Sequence, residues 1–305
     1  MKNQLIIVAG HPRSGTHLII DIIRQNIKHS DFPSIRPSYA TIENLILPHD
    51  YEVLDLWIDW LERCKNNKLI PIIKTHCLPS DIDAFIQLMK EKKESKFLHE
   101  ILNNAIYIYI KRDPVEALSS WFEFAKGGGV ANANEGKRRL EKMNFSNFLE
   151  IENLYKMPYR NWSVIDKNVI YFIAAHHMEW EKFLIGKDGI YLNFSEIREN
   201  FEKSVKILFT FLTKKLDISF SPNYQFRNPF SLQKQNKINN LKLRIIKKII
   251  FIIGNIFPII KNKIKLNTRV QPLKKLNLKP SNEEINKIYR IYNFAQKDIK
   301  DYQSG

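Results

Sequence analysis

The chain has 305 residues, 44% of them aliphatic, aromatic or cysteine, and a formal net charge of +16. That is enough apolar material for one large domain or two small ones. Two cysteines, Cys64 and Cys77, leave no room for a disulfide framework and point to a reducing compartment. The apolar run at residues 5–9 is too short for a secretory leader, and the 12-residue run 249–260 falls short of the ~20 residues a spanning helix needs. The expectation is a cytoplasmic protein able to touch a membrane. Between Asp217 and Glu283 there are 14 Lys and Arg and no acidic residue. The excess positive charge is therefore a local property of the C-terminal third.

In chain order, residues 4–10 read as a buried strand and 14–29 as a helix opening on a loop. Residues 30–48, with three prolines, read as irregular. A helix follows over 51–65, then a second strand over 69–76 whose Pro71 suits a strand start or an edge. Ser80 or Asp81 is expected to cap a helix over 80–93. Residues 105–112 form a third strand, and Asp113–Pro114 open the next helix. The glycine-rich stretch 126–137 reads as a mobile loop. A long helix is expected over 163–185, a fourth strand over 189–197, and a helix to about 213. Residues 218–240 read as irregular, 241–265 as a basic, Ile-rich helical stretch broken near Pro258, and a last helix starts at Ser281. Strands alternating with helices predict an α/β fold, with a parallel β-sheet flanked by helices and a helical C-terminal extension.

The stretch "IIVAGHPRSGTHLII" (6–20) is a strand, a glycine-bracketed loop from Gly10 to Gly15, and a helix. Backbone N–H groups of such a loop, with the positive end of the helix behind them, cradle an anion. A nucleotide-hydrolysing loop would carry Lys and then Ser or Thr after the second glycine, for the terminal phosphates and magnesium. Thr16 and His17 stand there instead, and the cation is Arg13, inside the loop. This suits an anion handled without a metal; a turn that holds nothing is the alternative reading of the loop alone. The second strand ends in "IIKTHCLPS", with Lys74 and His76 on one side by period-two alternation. The third ends in "IYIKRDPVEALSSWFEF", delivering Arg112 into a turn, with Ser119 and Ser120 two turns along the next helix. In a doubly wound sheet, ligands collect at the carboxyl ends of the strands, where these residues lie.

At these segments the chain resembles the sulfotransferases that use 3′-phosphoadenosine 5′-phosphosulfate (PAPS). "PRSGTHL" is similar to their 5′-phosphosulfate loop, "KTH" to their catalytic strand end, and "KRDPVEALSS" to their 3′-phosphate motif. "YLNFSEIRENFEKSVKILFTFL" (191–212) is similar to their fourth strand and following helix, so the resemblance runs in order over residues 4–213. It implies a single sulfotransferase-type domain over 1–305, P-loop NTPase-like, with a core at 4–213 and a basic acceptor-lid region at 214–305. It also implies that Arg13 touches the bridging oxygen and sulfonate, while Ser14, Gly15, Thr16 and His17 surround the 5′-phosphate. Arg112 and Ser120 would hold the 3′-phosphate, with Ser119 as the rival if one residue is missing. His76 matches the general base, and Lys74 with Arg13 would stabilise charge on the leaving oxygen. An imidazole suits that task because it titrates near working pH, and fixed cations are worth most where charge develops.

The chain departs from the family at His17 and Leu18 after the loop, and at Phe194 and Ser195, where Tyr and an acidic residue are usual. It has no C-terminal Arg-Lys-Gly motif; Arg269, Lys274 and Lys275 are the candidates to replace it. Cys77 reads as a small buried thiol. "AHHMEWEKF" (175–183) pairs His176 with Glu179 and His177 with Glu181 on different faces, a poor chelator, and reads as helix surface and packing. Trp180 reads as a packing residue. The basic segment 227–279 fits a lid over the acceptor, then interfacial membrane contact through 241–265, then plain solubility. The expected function is PAPS-dependent transfer to a hydroxyl acceptor, in a carbohydrate, lipid or small alcohol, an anionic glycan included, with no metal and no nucleic-acid partner. A P-loop small-molecule kinase and an inactive nucleotide- or nucleic-acid-binding protein are the rivals.

Overall fold

In the computed structural model the described residues are 5–27, 30–32, 51–89, 100–126, 143–151, 167–187, 189–216 and 278–304. The loop 127–137, the irregular stretch 218–240 and the basic helical stretch 241–265 lie outside them, as do Arg269, Lys274 and Lys275. The chain divides into two compact units, Met1–Tyr224 with Leu276–Gly305, and Gln225–Lys275; the sheet and its helices belong to the first.

The elements are β1 (Ile6–Ala9), α1 (Thr16–Asn26), β2 (Ser30–Asp31), α2 (Tyr51–Asn66), β3 (Ile70–Thr75), α3 (Pro79–Met89) and β4 (Ile106–Lys111). They continue with α4 (Pro114–Lys126), α5 (Phe145–Leu149), α6 (Val169–Ile185), β5 (Gly189–Asn193), α7 (Phe194–Glu199), α8 (Phe201–Leu216) and α9 (Asn282–Ser304). The five strands form one sheet in the order β2-β3-β1-β4-β5. Every pairing is parallel, so the expected α/β fold is present. β1 is central, and its last residue, Ala9, is in register with Thr75 on one side and Tyr109 on the other. The carboxyl ends of three strands therefore lie side by side.

β1 is buried along its whole length, as a strand covered on both faces must be. Its odd-numbered side chains join Ile73, Tyr107 and Tyr109 in a core closed by Trp57 and Trp60 of α2, Ile82 and Phe85 of α3, and Trp180 of α6. On the other face, Ile6, Val8, Ile72, Ile106 and Ile108 are equally buried, where α1 packs through its isoleucines. A second core is mostly helical: Trp121 of α4, Phe148 of α5, Phe172 of α6 and Ile288 of α9 meet there. This core fixes the C-terminal helix to the sheet domain. α9 opens with a reciprocal cap, the Glu284 N–H donating to Ser281 Oγ and the Ser281 N–H to Glu284.

Several boundaries differ from the sequence reading, each for a local reason. Ser30–Asp31 is a short edge strand rather than irregular chain; Asp31 is held by the indole N–H of Trp60 at 3.0 Å. Pro71 is the second residue of β3 and faces that two-residue edge, so the interior strand tolerates it. α3 begins at Pro79, and Asp81 caps it from inside, accepting the Leu78 N–H at 2.8 Å. β5 stops at Asn193, whose Oδ1 takes the Ser195 N–H at 3.0 Å and starts a helix where an extended strand had been expected. α5 has only five residues and too little periodicity to read from sequence. His176 and His177 are wholly buried, so only the packing half of their predicted role holds. Trp180 stacks on Tyr109 with ring centroids 5.6 Å apart, and Cys77 is a buried thiol. Among the described residues, no helix is long and apolar enough to cross a membrane.

Among the described residues, four histidines lie in the interior: His11, His76, His176 and His177. Burial pushes His11 down to about 4, and drives His76 and His177 well below the ordinary imidazole value. These three therefore fold in the neutral form, whereas the unfolded chain protonates them at about pH 6.5. Unfolding then takes up protons below that pH, so stability is flat above it and falls as pH drops towards 4. Each group adds a slope of up to about 1.4 kcal/mol per pH unit. Melting temperatures taken from pH 8 to pH 5 are expected to decline below about 6.5, more steeply than one proton allows; a constant value down to pH 5 contradicts the burial.

Candidate active site

The loop between β1 and α1 departs from regular structure in two left-handed residues, Arg13 (φ 67°) and Gly15 (φ 113°). Gly15 is the N-cap of α1, and no side chain caps that helix, so its first-turn N–H groups at Thr16, His17 and Leu18 have no partner inside the helix. A methyl group on Gly15 would lie 2.6 Å from the Phe194 ring. On Gly10 it would lie 2.3 Å from Ser14 Oγ and 2.8 Å from the Ile110 carbonyl oxygen. Both positions exclude any side chain, which is what holds the loop tight against β4 and α7. Ser14 Oγ is buried and has no hydrogen-bond partner, an orphan in the middle of an anion-type loop.

On one side of the loop lies His76, immediately beyond β3. The Thr75 hydroxyl accepts the Cys77 N–H at 2.9 Å and turns the chain there. His76 Nδ1 sits 2.5 Å from the Gly10 carbonyl oxygen. A carbonyl only accepts, so this nitrogen carries the proton and Nε2 carries the lone pair. Burial, then the Lys74 ammonium, keep the ring neutral. Lys74 also acts on His17, whose pKa is lowered by desolvation, then by Lys74 and Arg13. Because His17 remains exposed at the rim, the two cations are the lasting part of that effect.

On the other side lies Arg112, just past β4 and largely buried. Its Nη1 donates to the Arg13 carbonyl at 2.9 Å, and its Nε to Glu116 at 3.2 Å. The guanidinium also stands 4.3 Å over the Phe194 ring. Glu116 binds a second guanidinium, that of Arg198 on α7, at 3.1 Å. Arg13 turns towards this side: its Nε donates to Ser120 Oγ at 3.3 Å, and its guanidinium covers the Phe124 ring at 4.5 Å. Ser119 instead donates to the Val115 carbonyl of its own helix. Asp113 caps α4 by accepting the Val115 and Glu116 N–H groups, which aims Glu116 and Ser120 at the loop.

The loop thus joins two groups of side chains. His76, Lys74 and His17 gather on the β3 side, and Arg112, Ser120 and Arg13 on the β4 side, with Ser14, Gly15 and Thr16 between them. Three participants were not singled out in the sequence. Glu116 stands one helical turn after Arg112, a spacing that does mark a pair. Arg198 arrives from another element with no local sign. His11, inside the loop, directs Nε2 to the Arg112 carbonyl at 3.4 Å. Among the described residues, no three His, Cys, Asp or Glu side chains converge as a metal-binding group.

The profile of the sulfotransferase domain matches residues 3–249. No curated protein sequence matches the chain. Among solved structures, it is similar to mouse sulfotransferase SULT7A1 complexed with PAP, with 16% identity and a TM-score of 0.39 over 72% of this chain and 61% of that one. It is also similar to retinol dehydratase in complex with androsterone and inactive cofactor PAP, with 15% identity and a TM-score of 0.37 over 70% and 60%. The chain thus spans about three fifths of each solved structure, 61% and 60%. Since the domain profile runs through the sheet, the glycine-bracketed loop and both cationic strand ends, the chain belongs to the sulfotransferase family.

Proposed function

We propose that the chain transfers the sulfuryl group of PAPS to a hydroxyl acceptor, with His76 as general base. The observation that carries this reading is the contact of His76 Nδ1 with the Gly10 carbonyl at 2.5 Å, which assigns the proton of the neutral ring to Nδ1 and the basic lone pair to Nε2. The residues present suit the donor. The uncapped start of α1 and the orphaned Ser14 hydroxyl suit its 5′-phosphate. Arg112 and Ser120 suit its 3′-phosphate.

PAPS supplies an activated sulfur–oxygen bond at its 5′ end. His76 takes the acceptor's proton at Nε2 as the acceptor oxygen bonds to sulfur, and the electrons of the broken sulfur–oxygen bond go to the 5′-phosphate oxygen. Lys74, near His76, stabilises that developing charge. Arg13 reaches the same oxygen only by leaving Ser120, since both side chains belong to the site but now bond one another. The domain is read as 1–305 with the acceptor chosen by the region beyond 213, and a carbohydrate, lipid or small alcohol all fit the chemistry.

Calorimetry with 3′-phosphoadenosine 5′-phosphate should show binding, and ATP with magnesium none; the reverse result would favour the kinase. Arg112→Ala is expected to weaken the bisphosphate roughly 10- to 100-fold, the worth of a charge-assisted hydrogen bond, and to leave adenosine 5′-phosphate binding much less affected. Equal losses for both nucleotides would remove the 3′-phosphate role. His76→Ala should lower transfer, read as release of the bisphosphate from PAPS with p-nitrophenol or water as acceptor, by about 10²- to 10⁴-fold, with binding kept. The depressed pKa of His76 also sets the pH dependence: the base is already neutral at pH 6.5, so kcat/KM should hold from pH 8 to 6.5 and fall only at lower pH. An acid limb centred above 6.5 would assign the titration to another group.

A further inference from the structure

Beside the loop lies a set of buried imidazoles that the proposed reaction does not use. His11, His176 and His177 are each fully buried, with the His11 ring 5.0 Å from His177 and 6.1 Å from His176. Such rings are costly in an interior unless hydrogen-bonded. Those of His11 and His176 reach main-chain carbonyls at the ends of the two strands that carry the site.

His176 has the most defined role. Its Nε2 lies 3.2 Å from the His76 carbonyl oxygen, and because a carbonyl only accepts, this nitrogen holds the proton. The other ring nitrogen, Nδ1, stands 3.3 Å from the Tyr109 hydroxyl. Burial holds that phenol well above its ordinary pKa, so it remains a donor. Tyr109 is in register with Ala9 at the end of β1, and its ring packs against those of both His176 and Trp180, with centroids 5.6 Å from each. A run of donors thus leads from a residue fixed in the sheet, through His176, to the main chain of His76. The His76 ring is tied separately, through Nδ1 to Gly10. With its main chain and one ring nitrogen both held, the imidazole keeps one orientation and one tautomer.

We propose that His176 is a positioning residue for sulfuryl transfer: by holding the His76 main chain, it keeps the lone pair of His76 Nε2 aimed at the acceptor hydroxyl. The proposal rests on His76 being the base. A packing role alone would be met by any ring of the same volume. A positioning role requires the donor at Nε2, because loss of that donor loosens the strand end, and a misplacement of about 1 Å can cost on the order of 10²-fold in rate.

The test uses the full chain and four variants, His176→Phe, His176→Gln, Tyr109→Phe and His76→Ala. Each is read for melting temperature, for calorimetric affinity towards 3′-phosphoadenosine 5′-phosphate, and for kcat of bisphosphate release from PAPS with p-nitrophenol or water. His176→Phe keeps the ring and removes both polar atoms. It is expected to lower kcat by about 10- to 100-fold while nucleotide affinity changes less than about threefold. His176→Gln restores an N–H at a similar reach and is expected to recover most of kcat. Tyr109→Phe removes the hydroxyl that fixes the tautomer and is expected to lower kcat by a smaller factor, with affinity kept. Wild-type kcat in His176→Phe overturns the proposal. So does a loss of kcat in step with affinity and melting temperature in both the Phe and Gln variants, which is the behaviour of a packing residue. If His176→Phe does not fold, the other two decide: recovered kcat in His176→Gln with a loss in Tyr109→Phe supports it, and any other pattern overturns it. Retained kcat in His76→Ala marks a failure of the base assignment itself, which the His176 variants alone do not report.

Discussion

The hydrogen bond between His76 Nδ1 and the Gly10 carbonyl is the contact on which the site depends. Gly10 follows the last residue of the central strand, and its own N–H reaches the Thr75 carbonyl at 3.3 Å. The end of β1 and the end of β3 are therefore tied in both directions, main chain to main chain and main chain to ring. The loop can pass so close only because position 10 has no side chain. Once it does, one imidazole tautomer follows, and with it the nitrogen that is left to take a proton.

A single electrostatic cause then has two effects. The site is low in solvent and crowded with cations, which favours an anion and disfavours a charged imidazole. Lys74 belongs to both effects: it would meet the leaving oxygen, and it helps to hold His76 neutral. On the other side, Arg112 and Arg198 share the carboxylate of Glu116, so the guanidinium groups are held in place before any ligand arrives. Preorganisation of this kind lowers the cost of binding, although an incoming phosphate must compete with Glu116 for the same donors. Arg13 shows the same trade, since it bonds to Ser120 and covers Phe124 instead of facing His76.

The helical C-terminal segment is part of the same body as the loop, not an appendage. Tyr292 of α9 meets His177 Nδ1 at 2.5 Å, and Tyr289 donates to Asp113, the cap of α4, at 2.7 Å. Asp113 in turn aims the helix that carries Glu116 and Ser120. A helix more than a hundred residues away thus steadies the element that carries Glu116 and Ser120.

The sequence by itself determined whatever depends on neighbours along the chain. The apolar runs of β1, β3 and β4, the glycines at 10 and 15, the Asp113–Pro114 helix start and the helix start near Ser281 were all legible, because periodicity, missing Cβ atoms and first-turn preferences act over a few residues. The short edge strand at Ser30–Asp31 and the early stop of β5 at Asn193 were not, because a two-residue ladder and an Asn cap leave no periodic trace. Only the tertiary structure decided that His176 is a buried donor to the His76 carbonyl rather than a surface residue, that Arg198 joins Arg112 on one carboxylate, and that Arg13 turns to Ser120. Those contacts join residues from 82 to 107 positions apart. They exist only once parallel pairing brings the strand ends together, and nothing in the spacing of single residues encodes the direction in which a side chain leaves its strand end.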